Sequence, residues 1–279
     1  MSSPDTSADT PGRTSPVSMP IERELEVPEG GRLLHPGDPA VGSSVVYTWA
    51  ENAEAGAPLV LIFPGGGYGC LATGHEGDDV AAAFNRCGFH AGVVRYRLGP
   101  HHHHPAMIRD AVAAVRLSRA VRSERDDPGP IAACGFSAGG HLVASLATHA
   151  EAADARPAAV VLGYAVISMT ASHTHLGSRE NLLGPNPSPA ERHGVSPEHH
   201  VGPESPPAFL WHPADDPVVP VANSIAYAEA CVSAGVAVEL HVYPDGGHGI
   251  GLAPDIPGVR DWFKAAVGFL RRTCGAVAD

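Results

Sequence analysis

At 279 residues, 44% hydrophobic and 17% charged, the chain is long enough for one globular domain with a well-buried core. Its formal net charge of −12 and its single lysine, Lys264, exclude the basic patch that a phosphate backbone requires, so no nucleic-acid partner is expected. No run of 18 apolar residues occurs, so no transmembrane helix and no membrane partner are expected.

Residues 1–20, rich in Ser, Thr, Pro and Asp and lacking an apolar stretch, read as a disordered tail, neither signal peptide nor anchor. From residue 21 short apolar runs alternate with helical patterns. Strands are expected at Ile21–Val27 and Ser44–Trp49, then at the fully apolar Leu59–Phe63, which a Gly-rich loop follows. Asp79–Cys87 reads as a short helix and Ala91–Arg97 as a strand. Pro105 gives a favourable start to a helix over Ala106–Arg122. Next come a strand, Ile131–Phe136, a turn at Ser137 and a helix, Ala138–Ala150. Apolar strands follow at Ala158–Ile167 and Pro207–Trp211. A helix at Val221–Ala234, a strand at Val236–Tyr243 and a helix at Val259–Arg272 complete the pattern.

Apolar strands alternating with helices predict an α/β fold: a mostly parallel central sheet with helices on both faces, over 21–279 as one domain. Residues 168–206 break this pattern, being rich in Pro, Gly, Ser and His without sustained periodicity. They read as a lid-like or substrate-binding insertion. The five cysteines are widely spaced and lack a CxxC pair, which points to free thiols in a reducing compartment, the cytoplasm.

Cys134-Gly135-Phe136-Ser137-Ala138-Gly139-Gly140-His141-Leu142 places Gly-x-Ser-x-Gly at a strand-to-helix junction. The tight turn there exposes a nucleophilic serine and demands glycine two residues to either side. In a chain with 32 glycines that pentapeptide alone is weak. Three further motifs, each at a predicted strand end, add to it. Pro64-Gly65-Gly66-Gly67-Tyr68 follows Leu59–Phe63; a triple-Gly loop lets backbone N–H groups approach a developing oxyanion. Asp215-Asp216-Pro217-Val218-Val219-Pro220 follows Pro207–Trp211 and supplies the carboxylate that orients a base. Both aspartates compete for that role; the match to Asp-x-x-Val-Pro, a form frequent in hydrolases, implies Asp216, leaving Asp215 as a capping or solvated neighbour. Gly246-Gly247-His248-Gly249 follows Val236–Tyr243 and sets His248 in a Gly-flanked loop as candidate base.

Together with His75-Glu76-Gly77, Tyr96-Arg97-Leu98 and Asn181-Leu182-Leu183-Gly184, these motifs resemble the acetylesterase and acetyl-xylan-esterase-like branch of the α/β-hydrolases. The resemblance covers about residues 21–272. It implies Ser137 as nucleophile, His248 as base and Asp216 as orienting acid. It also implies an oxyanion hole from the N–H of Ala138 and of Gly66 or Gly67. The implied partner is a small-molecule acyl ester, such as an acetylated sugar or xylo-oligosaccharide, and the chemistry requires no cofactor. Tyr68, Glu76 and Asp215 are candidates to shape the pocket. Arg97 and Asp110 are candidates for a buried ion pair supporting the loops. The run His101–His104 and the histidines of the insertion read as exposed loop and pocket-mouth residues, because a metal site needs spaced, converging ligands. Two rivals remain: a serine aminopeptidase-like hydrolase of the prolyl-oligopeptidase type, and a non-catalytic metal- or ligand-binding protein. Nothing in the sequence sets the oligomeric state.

Overall fold

The computed structural model describes residues 21–24 and 43–275. The expected tail 1–20 and the end of the first predicted strand lie outside the described residues. Eight strands form one sheet: β1 (Ile21–Glu24), β2 (Ser44–Thr48), β3 (Leu59–Phe63), β4 (His90–Arg95), β5 (Ile131–Phe136), β6 (Val160–Gly163), β7 (Ala208–Pro213) and β8 (Val238–Tyr243). Their order is β1-β2-β4-β3-β5-β6-β7-β8. The β1–β2 and β2–β4 pairings are antiparallel, and every pairing from β4 to β8 is parallel.

Strand β3 shows why the central strands are apolar throughout. Leu59, Leu61 and Phe63 point into one core with helices α2 (Ala106–Glu124), α3 (Ser137–Thr148) and α6 (Ala222–Ser233). Val60 and Ile62 point into a second core, against α1 (Asp79–Arg86) and α7 (Trp262–Cys274). Successive side chains face opposite sides of a strand, so a sheet covered on both faces removes the polar alternation.

Chain order places β4 on one side of β3 and β5 on the other. The crevice above the carboxyl ends of β3 and β5 is therefore a topological switch point, where connections part and leave room for a ligand. The triple-Gly loop leaves β3 and the Ser137 turn leaves β5, so both border that crevice.

Two sequence expectations change. The strand expected over Ala158–Ile167 ends at Gly163. Tyr164 turns to φ 34°, and the Val166 N–H bonds the Ser137 carbonyl in place of a neighbouring strand. Ala165, Val166 and Ile167 are apolar because they pack into the core beside the serine turn. The insertion is also more regular than its composition suggests. It holds α4 (Leu176–Leu183), α5 (Pro189–Gly194) and a 3₁₀ turn, Pro197–His199. Helix α5 begins in a capping box, Ser188 with Glu191, which was visible as Ser-Pro-Ala-Glu. Leu182, Val195, Ser178 and Ser196 are buried, so the segment is packed into the domain.

Candidate active site

Strand β5 delivers Ser137 into the first turn of α3 with φ 51°, a left-handed backbone that costs energy for a residue with a Cβ. The flanking glycines are sterically required. A Cβ on Gly139 would run into the carbonyl oxygens of Phe63 and Pro64, and one on Gly135 into the Gly139 carbonyl. Ser137 is 5% exposed, and its Oγ lies 2.9 Å from His248 Nε2. His248 Nδ1–H donates to Asp216 Oδ2 at 2.6 Å, which leaves Nε2 as acceptor for the serine proton.

The Asp216 carboxylate is buried and fully engaged. Its Oδ1 accepts the N–H groups of Val218 (2.8 Å) and Val219 (2.9 Å), so the tight turn over Pro217 wraps its own backbone around the charge. His212 Nε2 lies 3.4 Å from Oδ2 and donates to the Val219 carbonyl, while its Nδ1 takes the Ser224 hydroxyl. Burial alone would raise the Asp216 carboxyl. The hydrogen bonds from His212, His248, Val219 and Val218 outweigh it and hold the group well below the usual carboxylate range. Asp215 is exposed and does not meet the imidazole; its Oδ1 accepts the Gly247 N–H at 2.8 Å and so ties down the loop that carries His248.

The loop after β3 has its carbonyls tied back. Gly66 O accepts from the Gly69 and Cys70 N–H groups, Gly67 O from Asn181 Nδ2 at 2.9 Å, and Tyr68 O from the Gly99 N–H. A peptide plane sets each N–H opposite the preceding C=O, so these bonds aim the N–H groups of Gly67 and Tyr68 the other way. Gly66, Gly67 and Tyr68 all have positive φ, at 130°, 63° and 62°. Among the described residues their N–H groups have no acceptor. Ala138 sits at the start of α3, where N–H groups lack intrahelical partners and the helix dipole favours negative charge.

Tyr68 is fully buried. Its hydroxyl donates to His141 Nδ1 at 2.7 Å, and His141 Nε2–H donates to the Val195 carbonyl at 2.7 Å. Burial pushes His141 down to about 3, the Val195 bond opposing, so the ring is neutral and can hold both bonds. Glu76 is 2% exposed beneath the same loop, accepting the Gly65 N–H at Oε2 (2.7 Å) and the Tyr164 hydroxyl at Oε1 (2.7 Å). Arg97 and the fully buried Asp110 form the anticipated ion pair, 2.7 Å between Nη2 and Oδ1, with Arg97 N–H adding a further bond to the carboxylate.

Sequence reasoning gave no role to His141, Tyr164, Asn181 or His212; the partners of the first three lie more than fifty residues away, and His212 bonds Val219 and Ser224 within its own strand-end turn and the helix after it. That reasoning left His175 among the histidines of the pocket mouth. His175 caps α4 by accepting the Ser178 N–H at Nδ1, and its Cε1 lies 3.8 Å from where a Cβ on Gly67 would stand. Burial and then the nearby His248 lower its pKa. In the His101–His104 run, His103 Nδ1 bonds the Asn181 carbonyl and the His104 N–H bonds that of Leu182. Among the described residues no group of three or more His, Cys, Asp or Glu is arranged to hold a metal ion.

The family described as alpha/beta hydrolase fold matches residues 60–252, which include all four motifs at the strand ends. The chain belongs to this family. Within the alpha/beta hydrolase family it is 36% identical to the acetyl ester-xyloside bifunctional hydrolase from Caldicellulosiruptor lactoaceticus. That crystal structure superposes with a TM-score of 0.79 over 90% of this chain and 96% of that one. It is 34% identical to an acetylxylan esterase of Xylanibacter ruminicola over 80% of this chain and 45% of that protein. It is 35% identical to endo-1,4-beta-xylanase B of Butyrivibrio fibrisolvens over 75% of this chain and 35% of that protein. The chain therefore spans less than half the length of these two curated relatives. Its similarities lie on the acetylesterase-like side of the hydrolase family, as the motifs imply.

Proposed function

We propose that this chain is a serine carboxylic-ester hydrolase that deacetylates small acetyl esters, acetylated sugars or xylo-oligosaccharides among them. The observation that carries the reading is the unbroken relay from Asp216 through His248 to Ser137 Oγ, with links of 2.6 and 2.9 Å. In this reading Ser137 Oγ attacks the ester carbonyl while His248 Nε2 takes its proton. Asp216 holds the imidazole tautomer and stabilises the imidazolium. The carbonyl oxygen becomes an oxyanion facing the N–H groups of Ala138 and of Gly66 or Gly67, with the Tyr68 N–H on the same rim. His248 then returns the proton to the leaving alcohol, and water, deprotonated by the same base, hydrolyses the acyl-enzyme.

The acetyl-sugar part of the proposal draws on what the similar proteins are named for: acetylxylan esterase and acetyl ester-xyloside hydrolase. As part of the same reading, residues 21–279 act as one hydrolase domain, with 168–206 over the crevice. Five free cysteines support a reducing, cytoplasmic setting. No helix among the described residues is long and apolar enough to cross a membrane.

Ser137→Ala removes the nucleophile and adds no bulk. It is expected to abolish p-nitrophenyl acetate hydrolysis while keeping the cooperative thermal transition of the wild type. Turnover retained in that variant would sink the mechanism. A panel of acetylated xylosides against longer acyl esters tests the substrate class, with preference for the longer acyl chains counting against it.

A further inference from the structure

Glu76 is a carboxylate of unusual placement. It is 2% exposed, and among the described residues the one Lys, Arg or His side chain within 4.0 Å of its carboxylate is His75. A buried acid with so little compensation costs stability unless hydrogen bonds satisfy it. Here the two bonds go to opposite sides of the site. Oε2 takes the Gly65 N–H at 2.7 Å, at the root of the triple-Gly loop. The Gly65 Cα is wedged beside the nucleophile as well; a Cβ there would stand 2.8 Å from Glu76 Oε2 and 2.9 Å from Ser137 Cβ. Oε1 takes the Tyr164 hydroxyl at 2.7 Å.

Tyr164 carries the connection onward. Its hydroxyl oxygen accepts the Gly251 N–H at 2.9 Å, in the segment that follows His248. Its ring lies edge-on to the His248 imidazole, centroids 5.0 Å apart and planes at 65°. Gly251 itself has φ 52° and is pressed on the His75 carbonyl, so no side chain fits there. Tyr164 is fully buried in a left-handed conformation at φ 34°, which places strain at the residue that makes the link.

We infer that Glu76 and Tyr164 are a positioning pair, which fixes the oxyanion loop and the His248 loop at one distance from each other across Ser137. Gly65 is held from one carboxylate oxygen and Gly251 from the other, through one hydroxyl. The oxyanion donors and the base are thereby kept in register without either residue of the pair touching substrate. The inference rests on the Ser137–His248–Asp216 reading proposed above.

The test is a double-mutant cycle on the full chain with p-nitrophenyl acetate. Glu76→Gln keeps the size of the side chain and one acceptor, but leaves the Tyr164 hydroxyl proton without its acceptor. Tyr164→Phe keeps the ring and deletes the hydroxyl. Each single variant is expected to lose on the order of 10–100-fold in kcat with KM within about twofold, because misplaced donors and base act in the transition state. The double variant is expected to lose little more than the worse single one, the mark of two groups acting as a unit. An unchanged kcat, a rise in KM alone, or losses that multiply independently would overturn the pairing. If Glu76→Gln lacks a cooperative melt, Tyr164→Phe alone decides, on the same split between kcat and KM. Fluorophosphonate labelling of wild-type Ser137 separates the two readings. A wild type that resists the probe defeats the proposed function. A labelled wild type whose variants match it in kcat defeats only the positioning pair.

Discussion

Asp215 and Asp216 are neighbours with opposite surroundings, and the difference can be measured. Asp216 bonds the His248 imidazole; Asp215 bonds the backbone of the loop that carries it. Asp216→Asn is expected to lower kcat by about 10³–10⁴-fold, since the amide favours the wrong imidazole tautomer. Asp215→Asn weakens one exposed backbone contact and should cost less than about tenfold, the worth of an ordinary hydrogen bond. The reverse ranking would reassign the acid. Asp216 also contributes to stability against acid. Its folded pKa is depressed, so its contribution is fully present above the unfolded value of about 3.9 and is lost as pH falls toward the folded value. At this scale the sequence was informative where chemistry and spacing coincide. Asp-x-x-Val-Pro pointed to Asp216 by its likeness to a form frequent in hydrolases, and the N–H groups two and three residues on turn back to that carboxylate. Glu76 was noticed through its neighbours His75 and Gly77, yet its partner Tyr164 is 88 residues away and no local pattern announces it.

Helix α3 shows what elements add. Its first residue is the proposed nucleophile and its fifth, His141, is a buried strut between the triple-Gly loop and the insertion. The folded state keeps His141 neutral down to about 3, whereas the unfolded chain binds that proton near 6.5. Between those values the unfolded state holds more protons, so this residue makes stability rise with pH, by up to about 1.4 kcal/mol per unit. His141→Gln is expected to be less stable than wild type at pH 7 and to show a shallower loss of stability between pH 7 and 5 in urea unfolding. An identical slope in both proteins would show that the ring is not held neutral. Helix boundaries were readable to within a few residues from apolar spacing. The short helices of the insertion were not, because none buries more than two residues and α5 buries none, and each has too few turns for a period to emerge.

At the scale of the whole molecule, the three-layer architecture followed from apolar runs alternating with amphipathic ones. The strand order did not, since it depends on which crossover packs on which face. The four site motifs come together because parallel strands present all their carboxyl ends on one edge. The Arg97–Asp110 pair braces that arrangement from behind, joining the segment after β4 to α2. Asp110→Ala would leave a largely buried guanidinium without its counter-charge. It is expected to cost about 3–5 kcal/mol in urea unfolding. A loss under 1 kcal/mol would mean that water replaces the carboxylate. Cys70 has a different kind of consequence. Its thiol is exposed and bonds the Gly66 carbonyl at 3.4 Å, close enough that a Cβ on Gly66 would stand 2.9 Å from the sulfur. An alkylating or oxidising reagent that adds bulk to this sulfur presses on the triple-Gly loop and leaves Ser137 untouched. Sensitivity to thiol reagents would then mimic a cysteine hydrolase, and inhibitor profiling of this chain has to be read against a Cys70→Ser control.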